Sequence, residues 1–260
     1  IEPEYIPLAV QRLEQWGFVV SVGSHALAVN GRFAGTVAER LEDLNEAFAD
    51  ASVDIILCSR GGYGMQHLVD KIVLPSRPKS EWPLVVGFSD ITVLHALMSV
   101  HGVPSLHASM CKALATLPDD SDALVQLKNA LKSGKIEVSP EIEGRKVIGG
   151  NLSLLYALQG TPYSLNAIID GCEKPPMLLL EDIGERHYHI DRMLQNLRMS
   201  GVLSRVAGVI VGQFTDCEDD ALMGCTVYET IAKVLAEYNY PIVWNAPYGH
   251  IDENIPIFLS

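Results

Sequence analysis

Apolar residues recur at helical spacing in Leu8–Trp16, Leu41–Phe48 and Val93–Val100, which predicts amphipathic helices there. Between them, Val53–Cys58 and Leu84–Val86 are short, largely apolar runs rich in β-branched residues. A strand covered on both faces has no solvent side and needs no polar alternation, so helices alternating with such runs predict βαβ units on a parallel sheet. The expected class is α/β, with an N-terminal doubly wound parallel-sheet domain over residues 1–115.

From Thr116 to Arg145 the pattern weakens. Asp119-Asp120-Ser121-Asp122, Lys132-Ser133-Gly134-Lys135 and Glu141-Ile142-Glu143-Gly144 leave few long apolar runs, so residues 116–145 read as a linker. Apolar segments return at Val147-Ile148-Gly149-Gly150, Met177–Leu180 and Val206–Val211, with a helical pattern at Arg192–Met199. These predict a smaller C-terminal α/β domain over 146–260, with the functional site between the two domains.

Composition narrows the function classes. With 19 Lys+Arg against 32 Asp+Glu the formal charge of this 260-residue chain is −13, and its few cations are scattered, so no nucleic-acid partner is expected. At 48% hydrophobic and 20% charged the chain is globular. Its apolar runs are broken by charged residues such as Glu181, Asp182 and Arg205, so no membrane span is expected. Five cysteines without a CxxC pair suggest neither a disulfide framework nor a zinc knuckle, and point to a reducing, cytoplasmic setting. The start, Ile1-Glu2-Pro3, carries no export signal, and Ile255–Ser260 reads as strand interior, so residues are expected to be missing at both termini.

Four segments hold residue choices that packing does not explain. Ser59-Arg60-Gly61-Gly62-Tyr63-Gly64 lies between a strand and an expected helix containing Leu68 and Val69. Glycines at such a junction let backbone N–H groups converge on an anion or oxyanion, or simply make a tight turn. The segment fits neither the dinucleotide fingerprint nor the P-loop. Gly87-Phe88-Ser89-Asp90 follows a second strand, where a serine on a sharp turn projects its hydroxyl as a nucleophile, or a Ser or Asp caps the next helix.

Leu178–Leu180 ends in the carboxylate pair Glu181-Asp182, which could orient a histidine or close a solvated strand end. Pro247-Tyr248-Gly249-His250, with Asp252 and Asn254 beyond, places a histidine in a loop where a general base would be free to act. The other histidines show no metal-ligand spacing apart from the His187/His189 pair, which lacks companion ligands, so no metal is expected. Ser89, Glu181 and His250 thus permit a nucleophile, an orienting acid and a base, but a triad is defined by geometry that sequence does not supply.

Taken in order, Arg60-Gly61-Gly62-Tyr63-Gly64, Gly87-Phe88-Ser89-Asp90-Ile91-Thr92, Gly149-Gly150-Asn151-Leu152-Ser153, Gly160-Thr161-Pro162-Tyr163, Leu180-Glu181-Asp182 and Gly249-His250 resemble the successive motifs of the LD-carboxypeptidases, the murein tetrapeptide carboxypeptidases. The resemblance covers nearly the whole chain. It implies a cofactor-free serine peptidase that releases D-alanine from muropeptide tetrapeptides in cell-wall recycling. By motif it implies Ser89 as nucleophile, His250 as base and Glu181 as orienting acid, with backbone amides of Gly62 and Asp90 as the oxyanion hole. Arg60, Tyr63 and Asn151 are candidate contacts to the substrate, with Arg186 and Arg192 as further candidates for its carboxylate. Relatives also imply a homodimer.

Two segments depart from the family pattern: Leu106-His107-Ala108-Ser109-Met110 replaces His-Gly-Pro-Met, and His189 follows Tyr188 where arginine is common. Two other readings stay open. One is the microcin self-immunity branch, which cleaves a peptidyl-adenylate and would be favoured by Trp16, Trp82 or Trp244 over the site. The other is a non-catalytic binder of small anions.

Overall fold

A computed structural model describes residues 2–260. Helices α1 (Tyr5–Gln15) and α2 (Val37–Ala49) precede strand β1 (Ile55–Leu57). Strand β2 (Leu84–Gly87), helix α3 (Thr92–Val100) and strand β3 (Ser105–His107) follow. Helices α4 (Cys111–Thr116) and α5 (Asp122–Ser133) lead to strand β4 (Val147–Asn151) and helices α6 (Leu152–Ala157) and α7 (Leu165–Asp170). The remainder is strand β5 (Met177–Ile183), helix α8 (His187–Met199), strand β6 (Gly208–Thr215), helix α9 (Val227–Leu235), and strands β7 (Ile242–Val243) and β8 (Ile257–Leu259).

The strands form two four-stranded sheets, ordered β1-β2-β3-β8 and β4-β5-β6-β7. All pairings are parallel except β3 with β8, which is antiparallel. The expected α/β class with parallel sheets is the fold observed. The chain's last strand returns from the second half to the edge of the first sheet, pairing Leu106 with Phe258.

Burial on both faces explains the unbroken apolar runs. On β2, Val85 packs among Val93, Leu94 and Leu97 of α3, while Val86 faces Leu13, Leu114 and Leu127 of α1, α4 and α5. On β5, Leu178 and Leu180 face α6, α8 and α9, whereas Met177 and Leu179 meet Tyr248, Ile257 and Leu259 of the returning tail. Helix α3 belongs to the core cluster that joins both sheets, so the elements bearing each half of the site are packed together.

Two expectations change. The helix anticipated around Leu68 and Val69 is a pair of short 3-10 turns, Met65–His67 and Val69–Lys71, because Leu68 between them opens to φ −113°. The stretch read as a linker contains α5, capped by Ser121 and ended by Gly134 in the left-handed conformation. Its apolar face, Ala123, Leu124, Leu127 and Ala130, is spaced helically without any long run, and small residues make it inconspicuous.

Candidate active site

Strand β2 ends at a sharp corner. Ser89 has φ +66°, a strained value for a residue with a side chain, and strain of this kind persists where packing over-determines it. Gly87 makes the corner possible, since a β-carbon there would meet Ile91 Cγ1 at 2.9 Å. Neither Ser89 nor Asp90 caps α3 with its side chain. The Ser89 hydroxyl instead lies 2.9 Å from His250 Nε2, which comes from the other end of the chain.

His250 Nδ1 is 2.8 Å from Glu181 Oε2. A carboxylate only accepts hydrogen bonds, so Nδ1 carries the proton and Nε2 is left to accept from the Ser89 hydroxyl. Glu181 is fully buried at the end of β5, and among the described residues its Oε1 has no partner. Glycines admit this packing: a β-carbon at Gly212 would stand 3.1 Å from Glu181 Cβ, and Gly249 has φ +125°. The histidine loop is fixed by Asn254 Oδ1, which accepts from the Gly249 amide at 2.9 Å, and by Thr215 Oγ1, which donates to the His250 carbonyl at 3.0 Å. Phe88 flanks the imidazole at a ring-centroid distance of 4.9 Å.

The glycine-rich loop closes over this corner. A β-carbon at Gly61 would lie 2.9 Å from Ser89 Cβ, so only glycine lets the loop come this near. Gly62 has φ +98°, and neither its amide nor that of Asp90 donates a hydrogen bond among the described residues. The Asp90 side chain turns away and accepts from the Met65 amide at 2.9 Å. Burial pushes the Asp90 carboxyl above its usual range, opposed by that amide and by Arg40 and His67 nearby. Arg60 and Tyr63 are exposed on the rim of the same loop, Tyr63 stacked on Phe33 at 5.7 Å.

Asn151 lies elsewhere in character. It is buried, its Oδ1 accepts from the Leu154 amide as the cap of α6, and its Nδ2 donates to Asp182 Oδ1 at 2.9 Å. Asp182 also accepts from the Ser153 amide and hydroxyl, and Ser153 reaches Glu185, which pairs with His189. Burial raises the Asp182 carboxyl to about 6, with neighbouring Glu181 adding to the rise and the Ser153, Ile183 and Asn151 hydrogen bonds opposing it. The two carboxylates that close β5 therefore do different things: Glu181 meets the histidine, and Asp182 ties β5 to the start of α6.

Arg186 and Arg192 are exposed on α8 and its cap, where Arg186 donates to the Tyr188 hydroxyl and Arg192 lies 5.6 Å over the Tyr188 ring. Trp16 is buried in the α1 core, Trp82 packs against His101, and Trp244 is partly exposed. No group of three or more metal-ligating side chains exists among the described residues. Arg40 and Thr215 carry no signal in the sequence, since each sits in an ordinary helix or strand. Asn254 carried one signal, an amide beside an apolar run.

A hydroxyl bonded to an imidazole that is itself oriented by a buried carboxylate is the arrangement that activates a serine for attack on a carbonyl. Comparisons with known proteins agree on the family. The family model described as the LD-carboxypeptidase N-terminal domain matches residues 2–108, and that of the C-terminal domain matches 143–260. A putative carboxypeptidase of Synechocystis is 35% identical over 246 residues, 90% of this chain and 77% of that protein. A murein tetrapeptide carboxypeptidase of Pseudomonas aeruginosa is 29% identical over 98% of this chain and 86% of that protein. Among solved structures, muramoyltetrapeptide carboxypeptidase from Oxalobacter formigenes superposes with a TM-score of 0.82 at 24% identity, covering 100% of this chain and 90% of that one. The wild-type microcin C7 self immunity protein MccF superposes at 0.80 with 17% identity, covering 98% and 86%, so it shares the fold.

Proposed function

The chain belongs to the LD-carboxypeptidase family, and from that premise we propose that it is a serine peptidase releasing the terminal D-alanine of muropeptide tetrapeptides. The observation that supports the mechanism is the chain of hydrogen bonds Ser89 to His250 to Glu181. In this reading Ser89 Oγ attacks the carbonyl carbon of the L-D peptide bond while its proton passes to His250 Nε2. The Glu181 carboxylate faces the imidazolium that results. The Gly62 and Asp90 amides receive the oxyanion, and loss of one such donor costs about 10²–10³ in rate.

His250 then returns the proton to the leaving amine, and D-alanine departs. Water, deprotonated by the same histidine, hydrolyses the acyl-enzyme and regenerates Ser89. Arg60 and Tyr63, on the rim, are the side chains proposed to meet the substrate. A cytoplasmic setting and a homodimer belong to the proposal as well, drawn from the free thiols and the family resemblance.

The test is release of D-alanine from a tetrapeptide ending in L-Lys-D-Ala or meso-diaminopimelate-D-Ala. Wild type should release it with or without excess chelator, and Ser89→Ala should not. Absence of release from folded wild type, with cleavage of a peptidyl-adenylate, would move the protein to the microcin branch.

A further inference from the structure

The peptide unit joining Gly64 to Met65 closes the glycine loop, and both of its polar ends are held by charged side chains. The Gly64 carbonyl accepts from Arg40 Nη1 at 3.2 Å, and the Met65 amide donates to Asp90 Oδ2 at 2.9 Å. A cation on the oxygen and a carboxylate on the N–H both match the peptide dipole, and charge-assisted bonds are roughly twice as strong as neutral ones. The position demands glycine: Gly64 has φ +119°, and a β-carbon would lie 2.8 Å from both Arg40 Nη1 and Phe33 Cδ1. Arg40 is itself seated, its guanidinium 5.2 Å over the Phe33 ring.

The loop is pinned at its other end by the sheet, where the Cys58 amide donates to the Val86 carbonyl at 3.0 Å. Between these anchors Gly61 and Gly62 have no side chains with which to hold position. We infer that Arg40 and the Asp90 side chain are positioning residues, which clamp the Gly64–Met65 peptide plane and so hold the Gly62 amide over Ser89. The inference rests on the serine-peptidase reading and assigns Arg40, on a helix that touches no reacting atom, a part in the rate of the chemical step.

The experiment compares wild type with Arg40→Met, Arg40→Lys, Asp90→Ala, Asp90→Asn and the double variant Arg40→Met/Asp90→Ala. One readout is the rate at which a fluorophosphonate labels Ser89, forming the Oγ–P bond as fluoride leaves and the proton passes to His250. The other is kcat and KM for D-alanine release. A loosened donor costs less than a deleted one, so Arg40→Met should slow labelling and kcat about 10- to 100-fold, with KM within about twofold. Arg40→Lys and Asp90→Asn, which keep a donor and an acceptor, should recover most of that loss. The double variant should be no slower than its slower parent, since both arms serve one peptide unit.

Wild-type rates in Arg40→Met, additive losses in the double variant, or a raised KM with unchanged kcat would each overturn the clamp. The last would make Arg40 a substrate contact. If wild type is labelled yet releases no D-alanine, the substrate assignment fails while the labelling rates still decide the clamp. If wild type releases D-alanine but is not labelled, kcat alone decides the clamp; if it does neither, the serine-peptidase reading and the clamp fall together.

Discussion

Gly249 approaches Glu181 so closely that a β-carbon on it would lie 3.0 Å from Glu181 Oε2 and 3.1 Å from Glu181 Cβ. The loop that carries His250 is thus packed directly on the acid that orients it. Gly249→Ala would add that β-carbon at φ +125°, where a side chain is strained in any case. Expected is a fall in kcat on the order of 10²-fold, because a shift of about 1 Å is enough to misplace a catalytic group. Steady-state kinetics check it; an unchanged kcat would show that the loop accommodates a methyl group without moving His250.

Glu181→Gln separates catalysis from stability. The amide can donate to Nδ1, which favours the wrong imidazole tautomer, so kcat should fall by about 10³–10⁴. Glu181 is fully buried with Oε1 unpartnered among the described residues, and replacing that carboxylate removes the cost of burying it. The thermal midpoint should therefore stay level or rise while activity collapses. Calorimetry beside kinetics checks both halves, and a sharply lowered midpoint would contradict the second.

Two buried histidines make the fold acid-sensitive. Burial lowers His95 to about 4 and His107 to about 3, against about 6.5 for the unfolded chain. Between those values the unfolded chain binds protons that the folded chain does not, so stability is full above pH ~6.5 and lost as pH falls. At about 1.4 kcal/mol per pH unit, each histidine costs on the order of 2 kcal/mol by pH 5. Asp182 works the other way: its carboxyl, raised to about 6, binds a proton first in the folded state and offsets part of the loss.

His107 has no partner for either ring nitrogen among the described residues. His107→Leu should therefore shrink the stability lost between pH 7 and pH 5 by about 2 kcal/mol. Urea denaturation at the two pH values measures this, and an unchanged pH slope would place the sensitivity elsewhere.

Asn151→Ala removes the α6 cap and one donor to buried Asp182. The expected cost is about 2–3 kcal/mol. At this chain length that corresponds to about 5–10 °C in thermal midpoint. An unchanged midpoint together with a raised KM would instead identify Asn151 as a substrate contact.

Much of this was legible in the sequence because it is local. Helical spacing placed α1, α2 and α3, and continuous apolar runs marked β2 as a strand covered on both sides and β5 and β6 as apolar segments of the C-terminal half. The glycine loop and the Gly87-Phe88-Ser89-Asp90 corner were marked by composition alone, since only certain backbones tolerate such turns. Helix α5 leaves little trace in the sequence because its buried face is partly built of alanine, and spacing does not report that the backbone unwinds around Leu68.

By itself the sequence determined the alternation of elements and the residue types available for chemistry, because periodicity and turn propensity act over a few neighbours. Tertiary structure decided which of them meet. Ser89 and His250 are 161 residues apart and come into contact where α3 and the tail pack the two sheets together. The residue pattern alone left Glu181 and Asp182 open as the partner of His250, and the family motif pointed to Glu181, which the structure places on Nδ1. Adjacent strand residues face opposite sides, and only the packed sheet determines which side the histidine approaches.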